Sequence, residues 1–435
     1  MFITARLPLL VGLGVVPLVL LASAGWPAWA IAAGWLVLCL AVMALDAAAA
    51  ADPRALGVER VLPRRARLGE PVTSELWLQN RGRKTLRGLV RDAWQPTAGA
   101  PLARAPINIP AGDRHRVTVP LLPRRRGELR SEFIVVRAVG PLGIAGRQAR
   151  IDAPGAIRVL PPFTARRHLP SRLARLRELD GNTSVQVRGQ GTEFDSLREY
   201  VRGDDVRAID WRASARAGST MIRTWRPERD RHVVILIDTG RTSAARVGDG
   251  VRLDAAMEAA LLLAALATRA GDHVHLLMFD RVVRARVTGI DGAALLPALV
   301  DAMAPVDPQL IDTDWDAAFA QVRTLTSRPS LVVVLTAQDA AEPARGLLGS
   351  LPGLAHRAHV LLGSATDTAL HDIAGERGTA EEVYRAASAE RTLRDAARLA
   401  AAIGRAGAEA ITDTPEALPP RIADRYLALK AAGRL

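Results

Sequence analysis

The stretch His232-Val233-Val234-Ile235-Leu236-Ile237-Asp238 reads as a strand that is buried on both faces, because five aliphatic residues follow one another without interruption. Further apolar strands are predicted at three places: His273–Phe279, Ser330–Thr336 and His359–Leu362. Helical patterns separate or follow them at Asp254–Arg269, Ala293–Met303, Asp314–Leu325, Leu393–Gly404 and Pro415–Ala431. This alternation predicts an α/β domain with a doubly wound parallel sheet over residues 232–435.

The region before this domain, residues 55–160, has a different pattern. Short alternating segments are separated by Gly, Pro and Asn clusters, and they lie at Val72–Leu78, Arg87–Ala93, Arg116–Leu122 and Glu132–Val139. Alternation with a period of two predicts an antiparallel β-sandwich. Arg124-Arg125-Arg126-Gly127 is interpreted as a charged turn between two of its strands.

The amino-terminal residues 1–50 indicate a membrane anchor. Leu7 to Leu45 are 39 consecutive uncharged residues, which as one helix would extend roughly 58 Å against a hydrocarbon core of about 30 Å. Two transmembrane helices are therefore predicted, at 7–24 and 28–45, broken at Gly25-Trp26-Pro27. The alternative is a cleaved secretory signal ending at Ala22-Ser23-Ala24.

Charge predicts the orientation. The turn between the two apolar segments has no Lys or Arg, whereas Arg6 precedes the first segment and several arginines follow the second. The soluble residues 46–435 are therefore expected on the cytoplasmic side of the inner membrane.

Lys and Arg number 58 against 45 Asp and Glu, a net charge of +13. Residues 53–160 hold 21 of the basic residues and 8 of the acidic ones, so the excess lies beside the anchor and would face anionic lipid. Nucleic acid is not expected, because no aromatic stacking platform accompanies the arginines.

The single cysteine, Cys39, excludes an internal disulfide. The chain has only two lysines, which excludes a phosphate-binding loop of the usual kind.

Two neighbouring stretches form a distinctive signature: residues 191–200, Gly-Thr-Glu-Phe-Asp-Ser-Leu-Arg-Glu-Tyr, and residues 203–212, Gly-Asp-Asp-Val-Arg-Ala-Ile-Asp-Trp-Arg, followed by Ser214-Ala215-Arg216. The signature resembles that of the family called domain of unknown function 58. Gly140-Pro141-Leu142-Gly143-Ile144 is similar to a weakened form of the family's Asp-Pro-Phe-Gly-Leu turn. The resemblance implies two membrane passes, a β-rich middle and a carboxy-terminal domain similar to a von Willebrand factor A domain.

Residues 161–231 are interpreted as the segment that carries the signature and packs on the carboxy-terminal domain. A charged helix is predicted at Arg166–Leu179, and the signature itself is expected to be largely irregular. Its acidic and basic side chains are expected to form arginine–carboxylate pairs that pin the segment to the sheet, with three aromatic residues as apolar anchors. An alternative role for these residues is partner recognition. The candidate residues are Glu193, Phe194, Arg198, Glu199, Tyr200, Gly203, Asp204, Asp205, Arg207, Asp210, Trp211, Arg212 and Arg216.

The likeness to von Willebrand A domains also implies a Mg²⁺ site at the carboxyl ends of the parallel strands, built from Asp-x-Ser-x-Ser, a threonine and a second aspartate. The matching residues are Asp238, Thr242, Thr313 and Asp339. Gly240 stands where one hydroxyl is expected, Ala337 stands where the second carboxylate is expected, and Arg241 adds a positive charge. The site is therefore predicted to be degenerate, and the alternative is that Asp238 and Thr242 cap the following turn.

Other candidate sites are weaker. His273 and His275 flank Val274 and point to one face of a strand, but the sequence shows no acidic or cysteine companion that would indicate zinc. No catalytic residue is predicted.

The expected function is that of a non-enzymatic membrane-anchored adaptor or scaffold. The family resemblance implies a partner, a MoxR-type AAA+ ATPase or its client, in assembly or chaperone activity. Two alternatives stay open at this point: a hydrolytic enzyme that uses the acidic cluster of the signature, and binding of anionic lipid or nucleic acid by the basic β-sandwich.

Overall fold

The computed structural model describes residues 1–186, 193–202, 204–226, 231–248, 250–339, 344–367 and 369–435. The chain divides into two compact units, Met1–Leu160 and Pro161–Leu435.

The first unit begins with a two-residue strand, β1 (Phe2–Ile3), and three helices, α1 (Arg6–Leu13), α2 (Val15–Ser23) and α3 (Ala28–Ala49). Two helical segments, Arg6–Ser23 and the one that begins at Ala28, are long and apolar enough to cross a membrane. The first is interrupted at Gly14, where an added Cβ would lie 2.3 Å from the ring of Trp35 on α3. A glycine is needed there because the indole packs directly against the backbone.

Residues 56–160 form two sheets. Their strands are β2 (Leu56–Val61), β3 (Arg65–Arg67), β4 (Val72–Asn80), β5 (Leu86–Trp94), β6 (Ala105–Ile109), β7 (Arg114–Leu121), β8 (Gly127–Val139) and β9 (Ala145–Leu160). One sheet has the order β1-β9-β8-β5-β6, with β3 also on β9, and the other has the order β2-β4-β7. All pairs are antiparallel except β3 with β9.

Apolar side chains of the two sheets share one core. Leu76 and Leu78 on β4 pack in the same buried cluster as Ile134 and Val136 on β8. The four strands predicted in this region overlap β4, β5, β7 and β8, and the predicted arginine turn lies between β7 and β8.

A buried ion pair lies among these strands. Arg60 on β2 binds both carboxylate oxygens of Asp92 on β5, at 2.6 and 2.8 Å, and also contacts the hydroxyls of Ser74 and Ser131. Burial of such a pair costs desolvation free energy, so its net contribution to stability depends on these additional hydrogen bonds.

The second unit contains a short hairpin and a large mixed sheet. Its elements are α4 (Leu169–Gln186), β10 (Glu193–Glu199), α5 (Trp211–Ala217), β11 (Met221–Arg226), β12 (His232–Asp238), β13 (Arg246–Val247), β14 (Gly250–Val251), α6 (Arg252–Arg269), β15 (His273–Phe279), β16 (Val283–Val287), α7 (Leu295–Met303), α8 (Trp315–Leu325), β17 (Pro329–Leu335), α9 (Arg345–Ala355), β18 (His359–Ala365), α10 (Ala369–Gly375), α11 (Ala380–Arg405), β19 (Glu409–Asp413) and α12 (Leu418–Ala431).

The large sheet has the order β16-β15-β12-β17-β18-β19. Its neighbours from β15 to β19 are parallel, and β16 is an antiparallel edge strand. On one face, Val234 and Leu236 of β12 pack in a cluster with residues of α8, α9 and α11, such as Phe319, Leu351 and Ile403. Successive residues of a strand point to opposite faces, so the alternate residues of β12 face the side where α6 packs.

Several elements of this unit were not expected from the sequence, among them β16, α9, α10 and β19. The helix predicted at Leu393–Gly404 is longer, because Thr379 and Glu382 form a capping box that starts α11 at Ala380.

Candidate functional site

The carboxyl ends of the central parallel strands bring together most of the residues predicted for the metal site. Asp238 is the last residue of β12 and is 2% exposed. Thr242 follows it in a short 3₁₀ turn, and Thr313 comes from the loop before α8. The fourth neighbour is Thr336, which directly follows β17 and was not among the predicted ligands.

Four hydrogen bonds satisfy the carboxylate of Asp238. One oxygen accepts from the backbone N–H of Gly240 at 2.8 Å and from the Thr313 hydroxyl. The other accepts from the hydroxyls of Thr336 at 2.6 Å and Thr242 at 3.2 Å. Burial of a charged carboxylate is tolerated here because each oxygen has two donors.

Gly240 permits this arrangement. A Cβ at this position would lie 2.4 Å from the Thr313 hydroxyl oxygen and 3.0 Å from an oxygen of Asp238. The serine expected in a metal-binding loop would therefore displace Thr313 from the carboxylate. Backbone strain has no part in this, because Gly240 is extended with φ −71°.

Asp339 has a different partner from the one predicted. Its carboxylate accepts from Arg252 at 2.6 Å, and the same guanidinium donates to the carbonyls of Thr242 and Ala365. Arg252 is the first residue of α6 and is 7% exposed. The arginine thus joins the end of β18 to the loops that follow β12 and β17, and it holds Asp339 away from a role as a metal ligand.

These residues line a small cavity of about 80 Å³. Asp238 and the threonines form its polar floor, while Trp315, Ala344 and Leu347 supply apolar wall. Arg241 and Asp312 pair with each other at the rim, and both are more than half exposed. The volume is well below the several hundred Å³ of a typical small-molecule site, so it suits an inserted side chain better than a cofactor.

The donor set does not fit Mg²⁺. Octahedral Mg²⁺ is usually held by one or two carboxylates plus water or hydroxyl oxygens. Within the described residues, Asp238 is the only carboxylate at the cavity that is not in an ion pair. Its two oxygens already accept four hydrogen bonds from protein donors. Ala337 supplies no ligand, and the guanidinium of Arg241 borders the cavity. No cluster of three or more His, Cys, Asp or Glu that could hold a metal occurs in the described part of the chain.

A second buried carboxylate, Asp280, follows β15 at the same edge of the sheet. Burial alone would raise the pKa of Asp280, but the opposing hydrogen bonds from Arg284, from the N–H groups of Arg281 and Val282 and from Thr239 lower it below its ordinary value. The group is therefore a charged carboxylate that holds the hydroxyl of Thr239, the residue next to Asp238.

The signature segment is regular rather than irregular, which corrects the prediction. β10 and β11 pair antiparallel, and α5 lies between them along the chain. Arg198 binds both oxygens of Asp204, at 2.6 and 2.8 Å. Asp205 caps a 3₁₀ turn, and Asp210 caps α5 while pairing with Arg223, a residue that was not predicted. The pKa of Asp210 is lowered by its backbone hydrogen bond from Ala213 and by Arg223.

The anchoring role predicted for Trp211 is wrong. Trp211 is the first residue of α5, directly after the cap at Asp210, and it is 72% exposed. Tyr200 is half-buried, while Glu199 and three predicted arginines are exposed: Arg207, Arg212 and Arg216. Gly203 and the side chains of Glu193 and Phe194 lie outside the described residues.

The histidine pair has companions that the sequence did not reveal. The His232 ring stacks on those of His273 and His275, and its Nδ1 lies 2.9 Å from Nε2 of His275. Asp291 lies 3.0 Å from His273. Burial lowers the pKa of His275, and the neighbouring His232 and His273 lower it further.

The turn at residues 140–144 is held by Asp46 at the end of α3. The Asp46 carboxylate, 1% exposed, accepts from the N–H groups of Leu142, Ile144 and Ala145 at 2.8 to 2.9 Å. A Cβ at Gly140 would lie 2.4 Å from an oxygen of Asp46. The family pattern has aspartate where this chain has Gly140. In this chain the carboxylate that holds the turn is instead that of Asp46.

Comparison with protein families finds a match within the second unit. Residues 196–372 match the family model described as "Protein of unknown function DUF58", which confirms the family predicted from the signature. No curated protein matches the chain.

Solved structures show only weak likeness. The CARDB domain of the PF1109 protein from Pyrococcus furiosus is 16% identical over 25% of this chain and 89% of that chain, with a TM-score of 0.19. A human complex of Zinc 2-glycoprotein with Prolactin inducible protein gives 16% identity over 24% of this chain and 92% of the matched one, with a TM-score of 0.21. Native alpha-2-macroglobulin from Escherichia coli gives 17% identity over 26% of this chain and 17% of that chain, also with a TM-score of 0.21. Scores this low do not establish a shared fold.

Proposed function

Residues 196–372 are a DUF58 domain, and on that premise we propose that the chain is a membrane-anchored cytoplasmic adaptor that binds a partner protein. The observation that carries this proposal is the cavity at the carboxyl edge of the sheet, whose carboxylate is held by threonine hydroxyls and whose wall is apolar. An inserted side chain of a partner can meet both surfaces, whereas a metal or a small molecule has little room there.

The large sheet supports the assignment of residues 232–435 to the von Willebrand factor A-like, Rossmann-type class. Its central strand β12 lies between parallel neighbours, helices pack on both faces, and the polar cavity lies at the carboxyl ends of the strands. Such an edge is where open α/β sheets place their ligands. We assign the packed sheets of residues 56–160 to a β-sandwich for the corresponding reason: both contribute to one buried core.

Exposed apolar side chains of the signature segment support a second contact surface. Val201, Val206 and Trp211 are 62%, 61% and 72% exposed within a short stretch of chain. Side chains of this kind on a folded surface commonly mark a protein-binding site when they lie together. Asp204, Asp205 and Asp210 are meanwhile occupied by contacts within the segment, which favours a structural role for them over general acid–base chemistry.

The two apolar helices support anchoring in the membrane, and the arginines at Arg6 and after α3 favour cytoplasmic placement of both units. Residues 2–6 also support an uncleaved anchor over a secretory signal. β1 pairs with β9, and the Thr4 hydroxyl donates to Gly143 at 2.6 Å, contacts that cleavage near Ala24 would remove.

The partner proposed from the family resemblance is a MoxR-type AAA+ ATPase or its client, in assembly or chaperone activity. Photo-crosslinking of the full chain in its native host tests this. p-Benzoylphenylalanine in place of Trp211, Arg241 or Asp312 should give crosslinks to an AAA+ ATPase or to one recurring client, identified by mass spectrometry.

Tyr384 provides the matched control, because it is an aromatic residue on α11 that is 80% exposed. The same photo-reactive group at this position should give no such product. Equal crosslinking at positions 211 and 384, or none at all three test positions, would exclude the adaptor role.

A further inference from the structure

We propose that a cavity in the first unit binds the phosphate of an anionic phospholipid headgroup. The cavity has about 640 Å³ and is lined by residues 4–6, 49–51, 85, 87, 139–141 and 143. Its size falls within the range of small-molecule sites. The inference rests on the proposed membrane placement of the two apolar helices, and it is independent of any protein partner.

The position of the cavity determines what can reach it. α1 begins at Arg6 and α3 ends at Ala49, and both of these helix ends border the cavity. If both helices cross the bilayer, their ends lie in the headgroup region on one side. Lipid phosphates are therefore the anions present at this level in the highest concentration.

The charge of the cavity matches a phosphate. Arg6 and Arg87 line it, both are exposed, and neither pairs with a carboxylate among the described residues. Arg6 is positioned by a hydrogen bond from one guanidinium nitrogen to the carbonyl of Leu142, at 3.1 Å. The neighbouring carboxylate, Asp46, is buried and occupied by the amides of the 140–145 turn, so it does not neutralise the two arginines by direct pairing.

Two further cations lie at the same level. Lys84 donates to the carbonyl of Ala49 and Arg147 donates to the carbonyl of Ala47, each at 3.1 Å. Both residues line an adjacent cavity of about 320 Å³, together with Arg83. These bonds also stabilise the carboxyl end of α3, where cations interact favourably with the helix dipole. The helix end is thus surrounded by positive charge fixed at headgroup depth.

The test uses the full chain reconstituted in phosphatidylcholine vesicles that contain a trace of spin-labelled phosphatidylglycerol or spin-labelled phosphatidylcholine. Electron paramagnetic resonance then gives the relative association of the two lipids with the protein. We expect the unchanged protein to prefer phosphatidylglycerol, and Arg87→Gln to lower that preference about fivefold, as expected for one arginine at an anionic surface. Arg6→Gln should act similarly, but Arg87→Gln is the decisive variant, because the Arg87 side chain makes no described hydrogen bond whose loss would disturb folding.

Arg130→Gln is the matched control. Arg130 is exposed on β8 and pairs with Glu128, nine positions before Val139 at the cavity, or about 30 Å along the strand. An unchanged preference in Arg87→Gln, or an equal drop in Arg130→Gln, would overturn the proposal. Loss of the phosphatidylglycerol preference in a few millimolar inorganic phosphate, but not in sodium chloride of equal ionic strength, would assign the site to a soluble anion instead.

The adaptor proposal stands or falls separately, because crosslinking at position 211 should be the same in Arg87→Gln and in the unchanged chain.

Discussion

Two buried carboxylates, Asp46 in the first unit and Asp238 in the second, are held by neutral donors in contrasting ways. Asp46 accepts three backbone N–H groups of one turn. Asp238 accepts one backbone N–H and three threonine hydroxyls, which come from three separate segments. Neither carboxylate is paired with a cation in the contacts of the described residues.

The difference lies in what the donors can do when the acceptor changes. A backbone N–H can only donate, so the three N–H groups around Asp46 require an acceptor at that position. A threonine hydroxyl can rotate and become an acceptor, so the Asp238 site can rearrange. We conclude that Asp46 fixes structure, whereas Asp238 provides an edge that can adapt to an incoming group.

The largest effect is expected for Asp46→Asn. The asparagine NH₂ would face backbone donors, leaving at least one buried N–H without an acceptor, and the free energy of unfolding of the first unit should fall by about 3 kcal/mol. Hydrogen exchange of peptides from β8 and β9 in the detergent-solubilised full chain measures this. Asp52→Asn is the control, since Asp52 is exposed and caps a single 3₁₀ turn. A loss in Asp46→Asn no greater than in the control would remove the distinction between the two carboxylates.

The next effect concerns Gly240→Ser, which restores the residue of the metal-binding pattern. Because its Cβ would displace Thr313, this change should destabilise the second unit by about 2 kcal/mol, as overpacking commonly does. Exchange of the β12 peptide reports it. Gly349→Ser on α9 is the matched control, because an added Cβ there meets nothing within 4 Å. If the Gly240→Ser chain were stable and bound Mg²⁺, the threonine hydroxyls around Asp238 would be able to rearrange into a metal site, contrary to this prediction.

A smaller cost is expected for Asp238→Asn. Thr336 or Thr242 can rotate to accept from the new NH₂, so the loss should be about 1 kcal/mol, well below that of Asp46→Asn. The same exchange measurement on β12 and β17 peptides checks this. Thr336→Val, which cannot adapt in this way, should remove most of that tolerance when combined with Asp238→Asn. A cost for Asp238→Asn as large as that for Asp46→Asn would contradict the adaptable-edge interpretation.

The smallest effect should be a pH dependence at the opposite edge of the sheet. His275 is buried and its pKa is lowered, first by burial and then by His232 and His273. The unfolded chain then binds the proton more readily than the folded one, so stability should decrease as the pH falls below about 6.5, the ordinary histidine pKa.

Exchange protection of β12 and β15 between pH 7.5 and 5.5, corrected for the intrinsic rate, measures this effect. His275→Gln should flatten the profile while keeping a hydrogen-bonding side chain beside Thr288. A profile in His275→Gln as steep as in the unchanged chain would assign the dependence to another group.

The strands of the large sheet were predictable where burial is complete. β12 and β15 begin and end at the predicted residues, because a strand buried on both faces is a continuous apolar run. β16, with the sequence Val-Arg-Ala-Arg-Val, was missed because an exposed edge strand needs no such run. β19 was missed for a similar reason, since only Ile411 of its five residues is buried.

The candidate site was predictable in part. Asp238, Thr242 and Thr313 lie together as predicted, but Asp339 binds Arg252, which precedes it by 87 positions in the chain. Likewise, nothing near Asp46 indicates a turn 96 to 99 residues away. Local patterns report which face of an element is buried, and partners this distant in sequence become visible only in the fold.

The pairing of Phe2–Ile3 with Ala145–Gly146 has a consequence for biosynthesis. The ribosome makes residues 2 and 3 more than 140 residues before their strand partner. Residues 2 and 3 therefore stay without this strand partner while both apolar helices and most of the strands are synthesised. A bulky fusion placed directly before Met1 would compete with that late docking step, while a fusion after Leu435 would leave it unhindered.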